Sequence, residues 1–323
     1  MALSYEFSIG SVRAKECSLF SQADFEQMLL MKNEADLIRF LKDKGYGEGD
    51  TTEDILESNE KKTWEYLRGV APDIEIFNVF LLQNDIHNFK TILKGTIFEK
   101  DYRKLLLDPY TIDPDVIRKA VENRKFDKLP EWLADAARES YDILAHSSDA
   151  RLSDGIADKA LMEHLISKGK ASGSGFLREY FETMAFYADI KIAIRAARTK
   201  ASRDYLDAVL CGVEGLDCRA LAAKAVSGYD NLLKYAESIR AYDCRTAIGF
   251  YRSSPPALER FVDNKLISLA KKYCRYTTEG AEPLFGYYLG CECERKIIYI
   301  ISGGINTRTS PDKIRERLRE YYG

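Results

Sequence analysis

Asp85-Ile86-His87-Asn88-Phe89-Lys90-Thr91-Ile92-Leu93-Lys94-Gly95 decides the fold of this 323-residue chain. Read with the residues before it, it places Phe77, Phe80, Leu81, Phe89, Ile92 and Leu93 three or four apart. That period puts them on one broad apolar stripe of an α-helix. Pro72, Asp73 and Glu75 suit a first helical turn, because proline fits there and acids favour the positive end of the helix dipole. The spacing predicts a helix from about Asp73 to Lys94, stopped at Gly95.

The same pattern returns downstream. Phe77, Phe181 and Phe285 follow one another at intervals of 104 residues. Phe80, Met184 and Tyr288 share that offset, as do Leu81, Ala185 and Leu289. Asp85 aligns with Asp189, Ile86 with Ile190, Leu106 with Leu210, and Ile112-Asp113 with Leu216-Asp217. The last copy is shortened after Gly303 but ends alike: Ser310-Pro311-Asp312-Lys313-Ile314-Arg315 parallels Asp113-Pro114-Asp115-Val116-Ile117-Arg118. Each reads as a helix start, with Asp113 or Ser310 as N-cap and proline in the first turn. A repeat of about a hundred residues is a domain, too long for one unit of a helical solenoid. The expectation is three homologous helical domains, 1–115 (including the N-terminal helix), 116–220 and 221–323, with their long helices around a shared axis.

The rest of the chain is equally helical in character. Eight prolines and twenty glycines are few for this length, and strand signals are nearly absent. Ser21-Gln22-Ala23-Asp24 opens a run with Phe25, Met28, Leu29, Leu37, Ile38 and Leu41 at helical spacing, ending at Gly45-Tyr46-Gly47. Ile297-Ile298-Tyr299-Ile300-Ile301 is β-branched, but it continues a helical pattern from Pro283 and reads as buried helix. The fold class is all-α.

Composition narrows the function. A net charge of −3 with 31% charged residues argues against a surface devoted to nucleic acid or anionic lipid. No apolar run approaches the roughly 20 residues that span a bilayer. The opening Met1-Ala2-Leu3-Ser4-Tyr5-Glu6-Phe7 lacks the basic-then-apolar pattern of a signal peptide. Seven scattered cysteines suit a reducing compartment. Cys291 and Cys293 lie two apart on a helix, pointing about 200° from each other, a poor arrangement for a shared metal.

Catalytic motifs are also missing. His87, His146 and His164 are the only histidines. His87 has no neighbouring nucleophile or carboxylate pair at catalytic spacing and reads as structural, and no zinc pair follows Glu163-His164. Gly169-Lys170-Ala171-Ser172-Gly173-Ser174-Gly175 has the wrong order for a phosphate loop and reads as a flexible linker. No paired aspartate-rich, H-E-x-x-H or G-x-S-x-G motif supports an enzyme.

Several segments resemble the C subunit of V/A-type rotary ATPases, called d in eukaryotic enzymes. Tyr5 through Arg13-Ala14-Lys15 resembles that family's opening, with Cys17 as a departure. Leu37 to Gly47, with Lys44-Gly45-Tyr46-Gly47, is similar to its first helix and terminal turn. Asp85 to Gly95 resembles its D-x-x-N-L-K…L-K-G segment, with Phe89 for the usual Leu. Glu282-Pro283-Leu284-Phe285-Gly286-Tyr287-Tyr288 and Ile314-Arg315-Glu316-Arg317-Leu318 fit its last third. The likeness spans the chain, while residues 125–175 carry the helical rhythm without a motif.

The resemblance implies a funnel of three helical domains around a pseudo-threefold axis, peripheral on the cytoplasmic face of the membrane. It implies two partners, the proteolipid ring of the membrane rotor and the central shaft of D and F subunits. It implies no catalysis, no bound nucleotide, no nucleic acid, no metal and no cofactor. A helical adaptor unrelated to rotary ATPases is the other reading.

Polar groups that interrupt the repeated helices are the candidate partner contacts. They are Asp85 and Asn88 in the first, Asp189 and Arg195 in the second, and Glu292 and Arg295 in the third. Arg195, Arg198, Lys200 and Arg203 form the densest basic cluster. A solvated face, or pairing between domains, is the plainer account of each, and cations at a helix C-terminus also suit the dipole. Arg315 to Arg319 alternates in charge and reads as the exposed face of one helix.

Overall fold

The computed structural model describes residues 4–323, so Met1 to Leu3 of the opening segment lie outside the described residues. Sixteen α-helices and no strand occur among them, which makes the protein all-α. Two compact units emerge. One is formed by the described residues up to Glu75 together with those from Phe250 to Gly323, and the other runs from Ile76 to Gly249.

In the first unit the N-terminal helices are α1 (Tyr5–Glu16), α2 (Gln22–Leu29), α3 (Glu34–Asp43) and α4 (Thr52–Val70). The second unit runs through α5 (Asn78–Ile97), α6 (Pro114–Asn123), α7 (Glu131–Ser147), α8 (Ala150–Ala171) and α9 (Gly175–Thr199). It continues with α10 (Arg203–Val209), α11 (Cys218–Ser227) and α12 (Tyr229–Ser238). After α13 (Cys244–Ser253) the chain completes the first unit with α14 (Pro255–Cys274), α15 (Glu282–Asn306) and α16 (Pro311–Arg315).

The first unit is organised by α15, which packs against α1, α3, α4, α14 and α16. A helix covered on so many sides must be apolar nearly all round. The run Ile297–Ile301 meets that need, with Ile297, Ile298 and Ile301 buried inside α15 rather than in a strand. Ser8 Oγ donates to the Val70 carbonyl at 2.6 Å, fixing α1 to the end of α4. Arg13 donates to the carbonyls of Cys274 and Thr277, at 2.7 and 3.0 Å, holding α1 to the end of α14.

In the second unit α8 lies between α5 and α9, with α7 and α10 also against it. α6 covers α5, while α11 and α12 cover α9. Phe77, Phe181 and Phe285 are each essentially inaccessible. Burial of such a ring contributes roughly 1.5–3 kcal/mol. Phe77 stands in a 3-10 turn just before α5, whereas Phe181 and Phe285 lie inside α9 and α15.

Several boundaries differ from the sequence reading, each for a local reason. The run from Gln22 to Leu41 is two helices, because Asn33 accepts a hydrogen bond from the Asp36 N–H at 2.9 Å and starts α3 afresh. α5 begins at Asn78 rather than near Asp73, after the 3-10 turn Glu75–Phe77. It passes through Gly95 instead of stopping there. A Cβ at Gly95 would lie 2.0 Å from the Tyr102 ring, so this glycine marks a close approach and not a cap. Gly169 to Ala171 belong to α8, and only Ser172 to Ser174 separate it from α9, leaving a tight hairpin instead of a long linker.

The terminal charges also differ from a solvated helical face, since α16 ends at Arg315. Arg315 reaches Glu26 at 2.7 Å and Asp312 at 2.6 Å, and Arg319 reaches Asp263 at 2.8 Å. Asp113 caps α6 through Asp115, as the sequence predicts. Ser310 occupies the N-cap of α16 without a side-chain hydrogen bond.

Candidate functional site

Asp85 and Asn88 are fully buried, and most of their hydrogen bonds go to backbone. Asp85 Oδ1 accepts the N–H groups of Thr111 and Ile112 at 2.8 and 3.0 Å, and Thr111 Oγ1 donates to Oδ2. Asn88 accepts the Leu107 N–H at 2.8 Å and donates to the Leu107 carbonyl at 2.9 Å. Asn84 donates to the Pro109 carbonyl at 2.8 Å, and His87 Nε2 lies 2.9 Å from the Leu105 carbonyl. Four polar residues on α5 therefore pin one returning segment, Leu105 to Ile112. A segment without regular structure needs such partners for its inward-facing amides.

Asp189 repeats the device on α9. It accepts the Cys211 N–H at 3.1 Å and the Gly212 N–H at 2.8 Å, with the Cys211 and Cys218 thiols each 3.6 Å from Oδ2. Burial raises the pKa of both aspartates against the lowering effect of these bonds. The thiols are pushed up as well, Cys218 to about 12, first by burial and then by the Asp189 charge. Such thiols stay protonated and are poor nucleophiles at neutral pH.

The third helix varies the theme. Cys293, at the same offset, donates to the Glu320 carbonyl at 2.9 Å. Its neighbour Glu294 accepts the Phe20 N–H inside the first unit. Phe20 in turn stacks on Tyr46 at 5.0 Å and Phe40 at 6.0 Å. Burial lifts the Glu294 carboxyl to about 8, opposed by the Phe20 N–H and the Arg295 charge. Arg295 is buried, hydrogen-bonds Asn59 on α4 at 3.1 Å and pairs with Glu292.

The basic cluster read from the sequence disperses. Arg198 lies over the Tyr229 ring, 5.2 Å from its centre, and Arg203 pairs with Asp207 at 2.9 Å. Lys200 is the exposed left-handed residue that ends α9. Arg195 alone lines a cleft between α5, α8 and α9, together with Asp189, Lys90, Lys159 and Lys191. The sequence reading missed Lys90, Lys159 and Asp158, whose meeting depends on how three helices pack. It also missed the pinning role of Asp85 and Asp189, although their shared 104-residue offset was the available signal.

Among the described residues no group of three or more His, Cys, Asp or Glu side chains is placed to hold a metal ion. Among them also, no helix is long and apolar enough to cross a membrane. Fold and side chains together define an all-helical body whose interior polar groups hold its own backbone in place. The chain belongs to the ATP synthase (C/AC39) subunit family, whose model matches residues 8–317. It is 22% identical over 329 aligned positions to the C subunit of the V-type sodium ATPase of Enterococcus hirae, covering 96% of this chain and 97% of that one. It is also 24% identical over 192 positions to the C subunit of the V-type ATP synthase of Thermus thermophilus, covering 56% of this chain and 59% of that relative.

Proposed function

We propose that this chain is the non-catalytic central-stalk socket subunit of a V/A-type rotary ATPase. It sits peripherally on the cytoplasmic face of the membrane and joins the proteolipid ring to the shaft of D and F subunits, so that torque passes between them for proton or sodium transport. The observation that carries this reading is the family match over nearly the whole chain, joined by similarity across 97% of the C subunit of a V-type sodium ATPase.

The packing supports it. A torque coupler must resist deformation, and interlocked helices at near-crystalline density transmit strain. Pinned return segments add stiffness where irregular backbone would otherwise yield. The parallel anchoring on α5 and α9 supports the reading of three homologous domains, 1–115, 116–220 and 221–323, arranged as a funnel. Exposed Lys200 remains available for partner contacts, whereas buried Asp85, Asn88, Asp189 and Arg295 act on partners only through the surfaces they shape. No observation favours the reading as an adaptor outside rotary ATPases.

The test is affinity purification of a tagged copy from detergent-solubilised membranes, with the co-purifying proteins identified by mass. Recovery of proteolipid and shaft subunits in fixed ratio is the expected result. An intact ATPase that purifies separately, without this chain, would overturn it.

A further inference from the structure

The second unit contains a cleft of about 350 Å³ between α5, α8 and α9. Ile86, Leu161, Ile192 and Val209 give it apolar walls, and Lys90, Lys159, Lys191 and Arg195 bring positive charge to it. Two acids share the lining, and both are engaged. Asp158 holds Lys90 at 2.6 Å, and Asp189 holds the Cys211 and Gly212 amides. Lys159 and Arg195 form no side-chain hydrogen bond or ion pair among the described residues. Lys159 is half-buried, so its charge is partly withdrawn from water without a counter-ion.

We propose that this cleft binds a phosphate group carried on a small apolar body, with Lys159 and Arg195 on the phosphate and the apolar walls on the remainder. A dianion matches two uncompensated cations, whereas a single carboxylate matches one. The guanidinium supplies a planar fork for two phosphate oxygens, and the ammonium supplies a compact point charge. The volume falls in the range of small-molecule sites. Arg195 is exposed at the mouth of the cleft, and partial exclusion of water around half-buried Lys159 strengthens its attraction over the value on an open surface. Lys90, already bound to Asp158, sets the edge of the site and adds positive potential.

A free phosphate monoester and the monoester headgroup of phosphatidic acid offer the same chemistry, so the experiment separates them. Phenyl phosphate is titrated calorimetrically into the intact chain, and into a Lys159→Gln/Arg195→Gln double variant. Arg203→Gln serves as a control outside the cleft. The expected result is saturable binding to the parent and the control, at least tenfold weaker in the double variant, with an unchanged melting temperature for each. Sedimentation with vesicles containing phosphatidic acid then assigns the source. Vesicle binding that the double variant loses identifies a headgroup, and phenyl phosphate binding without vesicle binding identifies a free ester. No binding of phenyl phosphate at millimolar concentration, or equal binding by the double variant, overturns the proposal. The measurement uses the isolated chain, so it stands or falls independently of assembly with an ATPase.

Discussion

Asp85 on α5 and Asp189 on α9 stand 104 residues apart and are buried to nearly the same degree, yet they are supported unequally. Each accepts two backbone N–H groups from the segment that returns past its helix. Around Asp85 the remaining donor is a hydroxyl, and Asn84, His87 and Asn88 pin the same segment. Around Asp189 the remaining donors are two thiols at 3.6 Å, which are weak. What recurs is the task of holding backbone, while the means of reinforcing it differ from copy to copy.

That comparison predicts its largest effect for Asp85→Ala. Removing the carboxylate strands two backbone N–H groups and a hydroxyl, each costing roughly 1–3 kcal/mol if left buried without a partner. Urea unfolding should show a loss of about 3–4 kcal/mol, and Asp189→Ala should lose about 1 kcal/mol less. Equal losses would erase the difference between the two clamps. A loss below about 1 kcal/mol for Asp85→Ala would remove its structural role altogether.

The third helix extends the contrast to pH. Its carboxylate, Glu294, is shifted by one position and pins Phe20 instead of the segment after its own helix. Because its folded-state pKa is raised to about 8, the folded chain keeps this proton after the unfolded chain has released it. The associated stability is fully present below the unfolded value and lost as pH rises towards 8, at up to roughly 1.4 kcal/mol per pH unit. Glu294→Gln keeps an oxygen for the Phe20 N–H and cannot ionise. Its unfolding free energy should therefore overtake that of the parent between about pH 5 and pH 8. Parallel pH profiles for the two proteins would contradict the burial-driven shift.

A smaller pair of effects belongs to two glycines at matching positions of the first and third repeated helices. A Cβ at Gly95 would strike Tyr102, whereas one at Gly303 would meet nothing within 4 Å. Gly95→Ala should destabilise by about 1–3 kcal/mol through overpacking. Gly303→Ala should be neutral, or stabilise by up to about 1 kcal/mol through helix propensity. Thermal melts of both variants decide it, and the same sign for both would refute the packing account. Least of all, Arg203→Gln removes an exposed pair with Asp207 and should shift stability by no more than about 0.5 kcal/mol.

The sequence revealed the long helices because their apolar stripes are continuous and their breakers few. α15 was legible from Pro283 to Ile301 despite its β-branched residues. The division between α2 and α3 was not, since Leu30 to Asn33 contain neither glycine nor proline and the break depends on a side-chain cap. Gly95 misled for a related reason, because a glycine near a helix end signals a stop until the ring of Tyr102 is placed beside it. Asp85 and Asn88 looked like outward-facing polar groups on a helix. Their partners lie about twenty residues downstream in irregular backbone, which periodicity does not locate. The cationic cleft needs three helices brought together, so Lys159 carried no signal beyond its own charge.

The central claim is that this chain couples a membrane rotor to its shaft. Its most direct test is reconstitution of the rotary ATPase from the source membranes, with and without this chain. ATP hydrolysis and ion transport are measured on the same preparations. The account predicts that preparations lacking the chain hydrolyse ATP without driving transport, and that adding it back restores coupled transport. Full transport in its absence would contradict the account.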